Sequence, residues 1–141
     1  MKKIRINIES TVEDLDDAEL TVSSDKTHAE ALGVMEENDG TVSVSYSQTE
    51  EGLTSNSRVT VKGESVEVNR SGDAEYSFVF TEGKTTGSLY TVPPYSFDTE
   101  IYTRRIRKAL TPTGIDITLI YDMTIGGAKK KTTMKIKVSE I

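Results

Sequence analysis

The chain has 141 residues, no cysteine, one histidine and a net charge of −6 at pH 7. This length fits a single domain, which we expect to span residues 1–141. The lack of cysteine excludes disulfide scaffolds and thiolate metal sites, and one histidine excludes a multi-histidine metal site. No apolar run is long enough to cross a membrane, and the first residues lack the apolar core of a secretion signal, so we expect a cytoplasmic protein without membrane contact.

Most of the chain alternates between apolar and polar residues, which is the pattern of β-strands with one buried face. Valine, isoleucine, threonine and tyrosine fill these runs, and all four favour a pleated surface. We therefore predict strands along the whole chain. In chain order, the clearest runs are residues 3–9, 41–47, 65–69, 76–80, 115–125 and 131–138.

The N-terminal third departs from this simple alternation. Within residues 11–37, an acidic run at 13–19 comes first, and alternation resumes at 20–23. Ser10 or Thr11 could cap a short helix through the acidic run. The alternation favours a different interpretation, in which an acidic loop precedes a strand.

The segment 95–110 is too long for one ordinary strand. It follows Pro93 and Pro94, which we expect to end the preceding strand because proline cannot donate to a sheet. The alternation slips between residues 101–103 and Ile106. This slip predicts a β-bulge that re-aims the strand.

Turn signals separate the strands at regular intervals. Between Gly40 and Gly83, glycine turns recur at spacings of 12, 11, 9 and 11 residues, which suits an antiparallel sandwich or barrel. Asp39-Gly40 and Gly126-Gly127 suit tight hairpins. An open meander of so many strands would leave two exposed edges. We therefore predict an all-β fold, an antiparallel meander of about 8–10 strands closed into a barrel, in preference to a Greek-key sandwich.

No pattern of catalytic or cofactor-binding residues is present. The chain has no Gly-x-Ser-x-Gly motif, phosphate-binding loop, dinucleotide-binding glycine motif or calcium loop. The pairs Asp98/Glu100 and Asp116/Asp122 fit solvent-facing strand positions, and His28 fits a surface position. We therefore predict a protein that is not an enzyme and that uses no cofactor and no metal.

Arg70 and three tyrosines are the candidate ligand-binding residues. Arg70, Tyr46 and Tyr121 continue apolar rows, and Tyr90 lies in a more mixed row. An inward arginine is costly unless it is paired or solvated, and it can bind a carboxylate or phosphate through two parallel hydrogen bonds. We predict a binding module for a small amphipathic or anionic ligand in the barrel interior. The alternatives are an Arg70 that reaches water at a strand end and tyrosines that are ordinary core residues.

The uneven charge suggests another function. Residues 1–51 carry 13 acidic and 4 basic residues, and residues 52–141 carry 10 acidic and 13 basic ones. Nucleic acid is not an expected partner of so acidic a chain, although the basic clusters 104–108 and 129–131 could bind an anion locally. The alternative is a structural or protein-interaction protein with a filled barrel and a charged binding surface. The oligomeric state is left open.

The order of several short motifs resembles the YwiB-like family of small bacterial proteins. No single motif is specific, and the ordered set covers residues 40–138. The resemblance implies a lipocalin-like (calycin-type) β-barrel and no established activity. The motifs are residues 40–46, 50–53, 59–66, 70–72, 80–83, 90–95, Gly114, residues 121–123 and the final alternating strand.

Overall fold

The computed structural model describes all 141 residues and consists of ten antiparallel strands. It contains no helix long and apolar enough to cross a membrane. The all-β prediction is confirmed, at the upper end of the predicted strand number. The strands are β1 (Lys2–Leu15), β2 (Thr21–Asn38), β3 (Thr41–Glu50), β4 (Leu53–Lys62), β5 (Ser65–Ser71), β6 (Tyr76–Thr81), β7 (Thr85–Val92), β8 (Tyr95–Thr111), β9 (Gly114–Ile125) and β10 (Ala128–Glu140).

The two ends of the chain meet in the middle of the sheet. The strand order is β6-β5-β4-β3-β2-β1-β10-β9-β8-β7, so every sequence neighbour is also a sheet neighbour except β6 and β7. β1 and β10 pair from Ile4–Glu140 to Leu15–Lys129. The predicted meander is therefore confirmed. Consecutive strands lack a regular ladder only between β6 and β7, and this seam lies in mid-sequence.

The seam is closed by a single bridge and by side-chain hydroxyls. Glu75 and Thr91 exchange two backbone hydrogen bonds, at 2.8 and 2.9 Å. Thr86 donates its hydroxyl to the carbonyl of Val79 at 2.8 Å, and Ser88 donates to the carbonyl of Ser77 at 2.7 Å. The result is a nearly closed, lipocalin-like barrel.

Side chains fill the middle of the barrel. Apolar residues from eight of the ten strands meet there and are almost completely buried. The sixteen buried members of this core are Ile4, Ile6, Val44, Tyr46, Val59, Val66, Val68, Phe78, Phe80, Ile101, Ile115, Ile117, Leu119, Tyr121, Ile136 and Val138.

The predicted acidic loop is shorter than the acidic run. Glu13 and Asp14 belong to β1, and only Asp16–Leu20 form the turn before β2. The reason is cross-strand charge pairing, because Glu13 lies opposite Lys131 and Asp14 opposite Lys130 in β10. Lys130 binds Asp14 at 2.7 Å. The prediction of a strand after this turn is confirmed, since β2 has 18 residues.

The predicted bulge in β8 is confirmed. Thr103 pairs with Tyr121 of β9, and the next pair joins Arg105 to Ile120. Arg104 is therefore the extra residue, which lets the inner row pass from Thr103 to Ile106 and stay on the core side. β7 ends at Val92, directly before a cis bond between the two prolines.

Candidate functional site

Four of the six tyrosines share the inner face of the barrel near one end. This end carries the β3–β4, β5–β6, β7–β8 and β9–β10 connections. Strand pairing produces the arrangement directly, since Tyr46, Ser57, Arg70 and Tyr76 are consecutive cross-strand partners in β3, β4, β5 and β6. Because directly opposed residues point to the same face, these side chains form one inner row. The four tyrosines, here called the tyrosine layer, are Tyr46, Tyr76, Tyr90 and Tyr121.

Aromatic stacking joins this layer across the seam and to the core. The Tyr76 ring stacks on Phe78 with centroids 4.3 Å apart, and on Tyr90 of β7 at 5.5 Å. Tyr121 packs against Phe80 at 4.7 Å with tilted rings. Such pairs add to the stabilisation from burial alone. The stacking therefore reinforces the barrel where β6 and β7 lack a regular ladder.

Burial changes the acidity of three of these tyrosines. Desolvation raises the pKa of Tyr46, although a hydrogen bond with Ser57 and the Arg70 charge oppose the shift. Desolvation also raises the pKa of Tyr76, again against the Arg70 charge. The pKa of Tyr121 rises furthest, because its ring is deepest and Thr132 compensates only in part. All three hydroxyls therefore stay protonated at neutral pH and can donate hydrogen bonds.

Arg70 lies at the rim of the tyrosine layer and is bound by Asp73. Its Nε donates to Asp73 Oδ1 at 3.0 Å and its Nη2 to Oδ2 at 2.7 Å, a two-point contact. The side chain of Arg70 is 29% exposed and that of Asp73 36%. Hydrogen bonding to Asp73 raises the pKa of Arg70, and the same contact lowers the pKa of Asp73. A guanidinium has five N–H donors, so three remain beyond the contact with Asp73, and the Tyr76 hydroxyl also hydrogen-bonds to this guanidinium.

The structure brings all four predicted binding residues to the same end of the barrel. Tyr46 and Tyr121 are buried, and Tyr90 is half-buried on the inner face. The sequence offered two interpretations of Arg70, an inward ligand-binding residue and a residue that reaches water at a strand end. The structure combines them, because Arg70 continues the inner row and its head group reaches the rim. Whether these residues bind a ligand stays a prediction.

Sequence reasoning missed two members of the site. Tyr76 alternates in step with Phe78 and Phe80, so its side chain points to the same inner face. This spacing was a sufficient signal for placing Tyr76 beside the other tyrosines. Asp73 is three residues beyond Arg70, in the β5–β6 loop. Its pairing with Arg70 depends on the shape of that loop, which no periodic pattern describes.

Half-buried apolar side chains lie on the inner face of β1, β2, β9 and β10. Ile8, Ala31, Met123 and Met134 pack against the core and remain partly accessible. Methionine adapts its shape to irregular apolar partners. The inner face of the barrel therefore combines tyrosine hydroxyls, one arginine and partly accessible apolar side chains.

Grooves on the outer surface have a different character. One of about 710 Å³ crosses β2–β5, carries Arg58 and no carboxylate, and reaches Tyr46, Ser57 and Arg70 of the inner row. Eight of its twelve lining residues belong to the outer face by the strand alternation, and Arg58 is exposed as the alternation indicates. Its lining consists of residues 32–34, 45–47, 56–58 and 69–71.

The charged candidates are dispersed over the outer face. His28 is exposed and lies opposite Glu9. Asp116 and Asp122 are six residues apart on one strand, or about 20 Å, too far for a pair of catalytic carboxylates. Arg104 of the first basic cluster binds Asp122 at 2.7 Å. No three acidic or histidine side chains converge on a metal position.

Comparison with known proteins identifies the family. A family model described as "Domain of unknown function (DUF1934)" matches residues 6–138. The chain belongs to this family. Among solved structures, it is similar to the ywiB protein from Bacillus subtilis, with a TM-score of 0.85 and 21% identity over 99% of this chain and 92% of that chain. The predicted resemblance to the YwiB-like family is thereby confirmed.

The comparisons inform on fold and family alone. At 21% identity, the likeness to the ywiB structure shows a shared fold. No curated protein matches the chain. Any function must therefore be argued from the site itself.

Proposed function

We propose that this protein is a non-enzymatic binding module that takes a small amphipathic ligand with an anionic head group at the tyrosine layer. The observation that carries the proposal is the inner row Tyr46–Ser57–Arg70–Tyr76, which sets one guanidinium among hydroxyl donors. Arg70 binds the anionic head, and the tyrosine hydroxyls orient it. The apolar part of the ligand lies against the partly accessible apolar side chains.

The head-group contact is supported by the donors that Arg70 retains. Asp73 occupies Nε and one hydrogen of Nη2, and the Tyr76 hydroxyl also hydrogen-bonds to the guanidinium. A carboxylate can approach the remaining N–H groups, and it gains a charge-assisted hydrogen bond worth about 1.5–3 kcal/mol. Asp73 holds the guanidinium at the rim, and its negative charge also repels an incoming anion. Asp73 therefore limits the affinity of the site.

The filled centre of the barrel sets the size of the ligand. Core residues such as Phe80 and Leu119 lie below the tyrosine layer and leave no room for a long chain to enter the axis. Ile8, Met123 and Met134 offer an apolar surface beside the layer. A short acyl or aromatic carboxylate fits these dimensions better than a long fatty acid.

Calorimetric titration with octanoate and octanol tests the proposal. These probes share a chain and differ in the anionic head. Replacing Arg70 with alanine should weaken octanoate binding by about tenfold to a hundredfold, in line with the loss of one charge-assisted hydrogen bond, and should leave octanol binding unchanged. Asp73→Asn should strengthen octanoate binding, because a competing negative charge is lost.

Arg58→Ala is the matched control. Arg58 is exposed on the outer face of β4 and pairs with Asn69, the residue before Arg70 in β5, so the charge change is equal at a similar height on the barrel. Equal weakening by the two arginine variants would mean that net charge, and not the site, attracts the ligand. Absence of binding at millimolar concentration across short carboxylates would also contradict the proposal.

A filled barrel that acts through its surface is the second candidate function. The densely occupied core favours it, because the sixteen core side chains leave only the ends and the outside for contacts. Native mass spectrometry of gently purified protein separates the two candidates. A bound mass that disappears on denaturation supports the ligand-binding function, and a native mass equal to the chain or a whole multiple of it supports action through the surface.

A further inference from the structure

One long strand edge of the barrel has no partner within the chain. β2 pairs with β1 from Met35 back to Thr21. On its other side β2 pairs with β3 only from Gly33 to Asn38. The edge from Thr21 to Leu32, here called the open edge, therefore faces solvent and is almost wholly exposed.

The hairpin geometry identifies which backbone groups the open edge presents. Asn38 and Thr41 flank a two-residue turn whose residues, Asp39 and Gly40, both have positive φ, at 52° and 80°. In such a hairpin the flanking residues exchange both backbone hydrogen bonds, and alternate residues along the strand point the same way. The residues that point N–H and C=O groups at the open edge are therefore Ser24, Lys26, His28, Glu30 and Leu32.

The open edge has neither a proline nor an internal bulge to prevent strand pairing, and its charged side chains carry both signs. It contains no proline, and its pairing with β1 runs without a bulge until the shift at Asp14/Leu15. Natural proteins protect long edges with prolines, bulges or charged side chains, or cover them with another segment. Here Asp25 and Lys26 oppose pairing with an arbitrary strand, so a partner strand must supply complementary charges. β2 makes substantial contacts only with β1 and β3, so no part of the chain covers the open edge.

We propose that two copies of this chain pair antiparallel through their open edges, which continues the sheet from one barrel into the other. Opposed residues in such a pair must lie on the same face of the sheet. An even-numbered residue of one copy can therefore pair only with an even-numbered residue of the other, and an odd-numbered one only with an odd-numbered one. A two-fold axis at His28 sets Lys26 of each copy opposite Glu30 of the other. This register joins residues 24–32 of both copies and supplies about ten backbone hydrogen bonds.

Charge complementarity selects this register over its neighbours. A two-fold axis at Lys26 would oppose the two lysines, and an axis at Thr27 would set Lys26 opposite His28. An axis at Ala29 would set Lys26 opposite Leu32 and shorten the pairing. Only the axis at His28 forms two Lys26–Glu30 pairs, and such self-complementarity is the condition for a closed dimer.

The contacts of Glu30 within its own chain are compatible with this pairing. Arg5 binds one carboxylate oxygen of Glu30, Oε1, at 3.2 Å on the exposed outer face. The other oxygen is free to accept from Lys26 of the second copy. The complementary pairs therefore add to the contacts of the single chain and replace none of them.

Sedimentation equilibrium of the full chain with a charge-swap series tests the proposal. Wild type should approach twice the chain mass of 15.5 kDa as concentration rises. Lys26→Glu and Glu30→Lys should each raise the dissociation constant of the dimer by at least about tenfold, because each places like charges opposite one another twice. The double variant Lys26→Glu/Glu30→Lys restores opposite charges and should recover the wild-type dimer.

The control keeps the charge change and moves it off the open edge. Lys62→Glu changes an exposed residue at the far end of β4, and it should leave the dimer intact. Circular dichroism of each variant confirms that the strands persist. A wild type that stays monomeric at every concentration overturns the proposal, and so does a dimer that responds equally to Lys62→Glu and Lys26→Glu.

Discussion

The β5–β6 loop offers a sharp test of how tightly the barrel is packed at the tyrosine layer. Gly72 has a positive φ of 111°, and a Cβ added there would collide with the carbonyl oxygen of Thr54 and lie 3.0 Å from Cα of Ser55. Gly83 has a positive φ of 78° and open space around it. Comparing alanine at the two positions separates the backbone conformation from the collision.

The expected free energies follow from these two contributions. An alanine in left-handed backbone costs about 1–2 kcal/mol, which is the full effect at Gly83. At Gly72 the neighbouring strand must also move, which adds about 1–3 kcal/mol, as overpacking does elsewhere. We therefore expect Gly72→Ala to lower the free energy of unfolding by about 2–5 kcal/mol.

Urea unfolding followed by circular dichroism measures both variants. With a slope of about 2 kcal/mol per molar urea, the midpoint of Gly72→Ala should lie about 1 M below that of Gly83→Ala. Gly33→Ala adds a third comparison, because a Cβ there meets the carbonyl of Ser45 without a positive φ. Equal losses for Gly72→Ala and Gly83→Ala would refute the reasoning, since the backbone conformation alone would then account for both.

Three further measurements address the core and the titrating groups. Phe80→Ala should cost about 3–5 kcal/mol of stability, because Phe80 is 1% exposed, whereas Phe97→Ala at 40% exposure should cost much less; urea unfolding distinguishes them. Arg70 lowers the pKa of Asp73, so this contribution is complete above the unfolded pKa of about 3.9 and is lost as pH falls through the lower folded value. Asp73→Asn should therefore reduce the loss of stability on acidification, and unchanged acid sensitivity would contradict it. Burial raises the pKa of Tyr46, Tyr76 and Tyr121, so the stability that they contribute persists below the unfolded pKa of about 10 and declines above it. Ultraviolet titration should show these three tyrosines ionising only at higher pH or on unfolding, and six identical titrations would contradict the burial.

Local alternation was sufficient to predict most of the strands. The apolar rows at residues 3–9, 41–47 and 115–125 all lie within strands with the predicted face buried. The sequence also predicted the bulge at Arg104, because the inward-facing residues change there from odd to even numbers. Patterns that depend on one strand and its two faces are therefore recoverable from the sequence.

Features that depend on contacts between distant segments were not recoverable. The acidic residues Glu13 and Asp14 were assigned to a loop because their lysine partners lie more than a hundred residues away in β10. The position of the seam depends on which strand ends first, and β6 has only 6 residues. The Arg70–Asp73 contact depends on the loop that Gly72 shapes.

Unequal strand lengths decide where this barrel is open to other molecules. β1, β2, β8, β9 and β10 have 12 to 18 residues, and β3–β7 have 6 to 10. In an antiparallel meander, a strand can form backbone hydrogen bonds with its neighbour only along its own length. The long strands therefore extend past the short ones. At β2 that excess leaves the open edge, and at the inner face it leaves Ile8 and Met134 only half covered beside the tyrosine layer. The proposed ligand site and the proposed dimer edge are therefore two consequences of one mismatch. Lys26→Glu changes the open edge alone and leaves the Tyr46–Ser57–Arg70–Tyr76 row intact. Such a variant should lose the dimer and keep the Arg70-dependent binding of octanoate, and loss of both would show that the two sites are not separable.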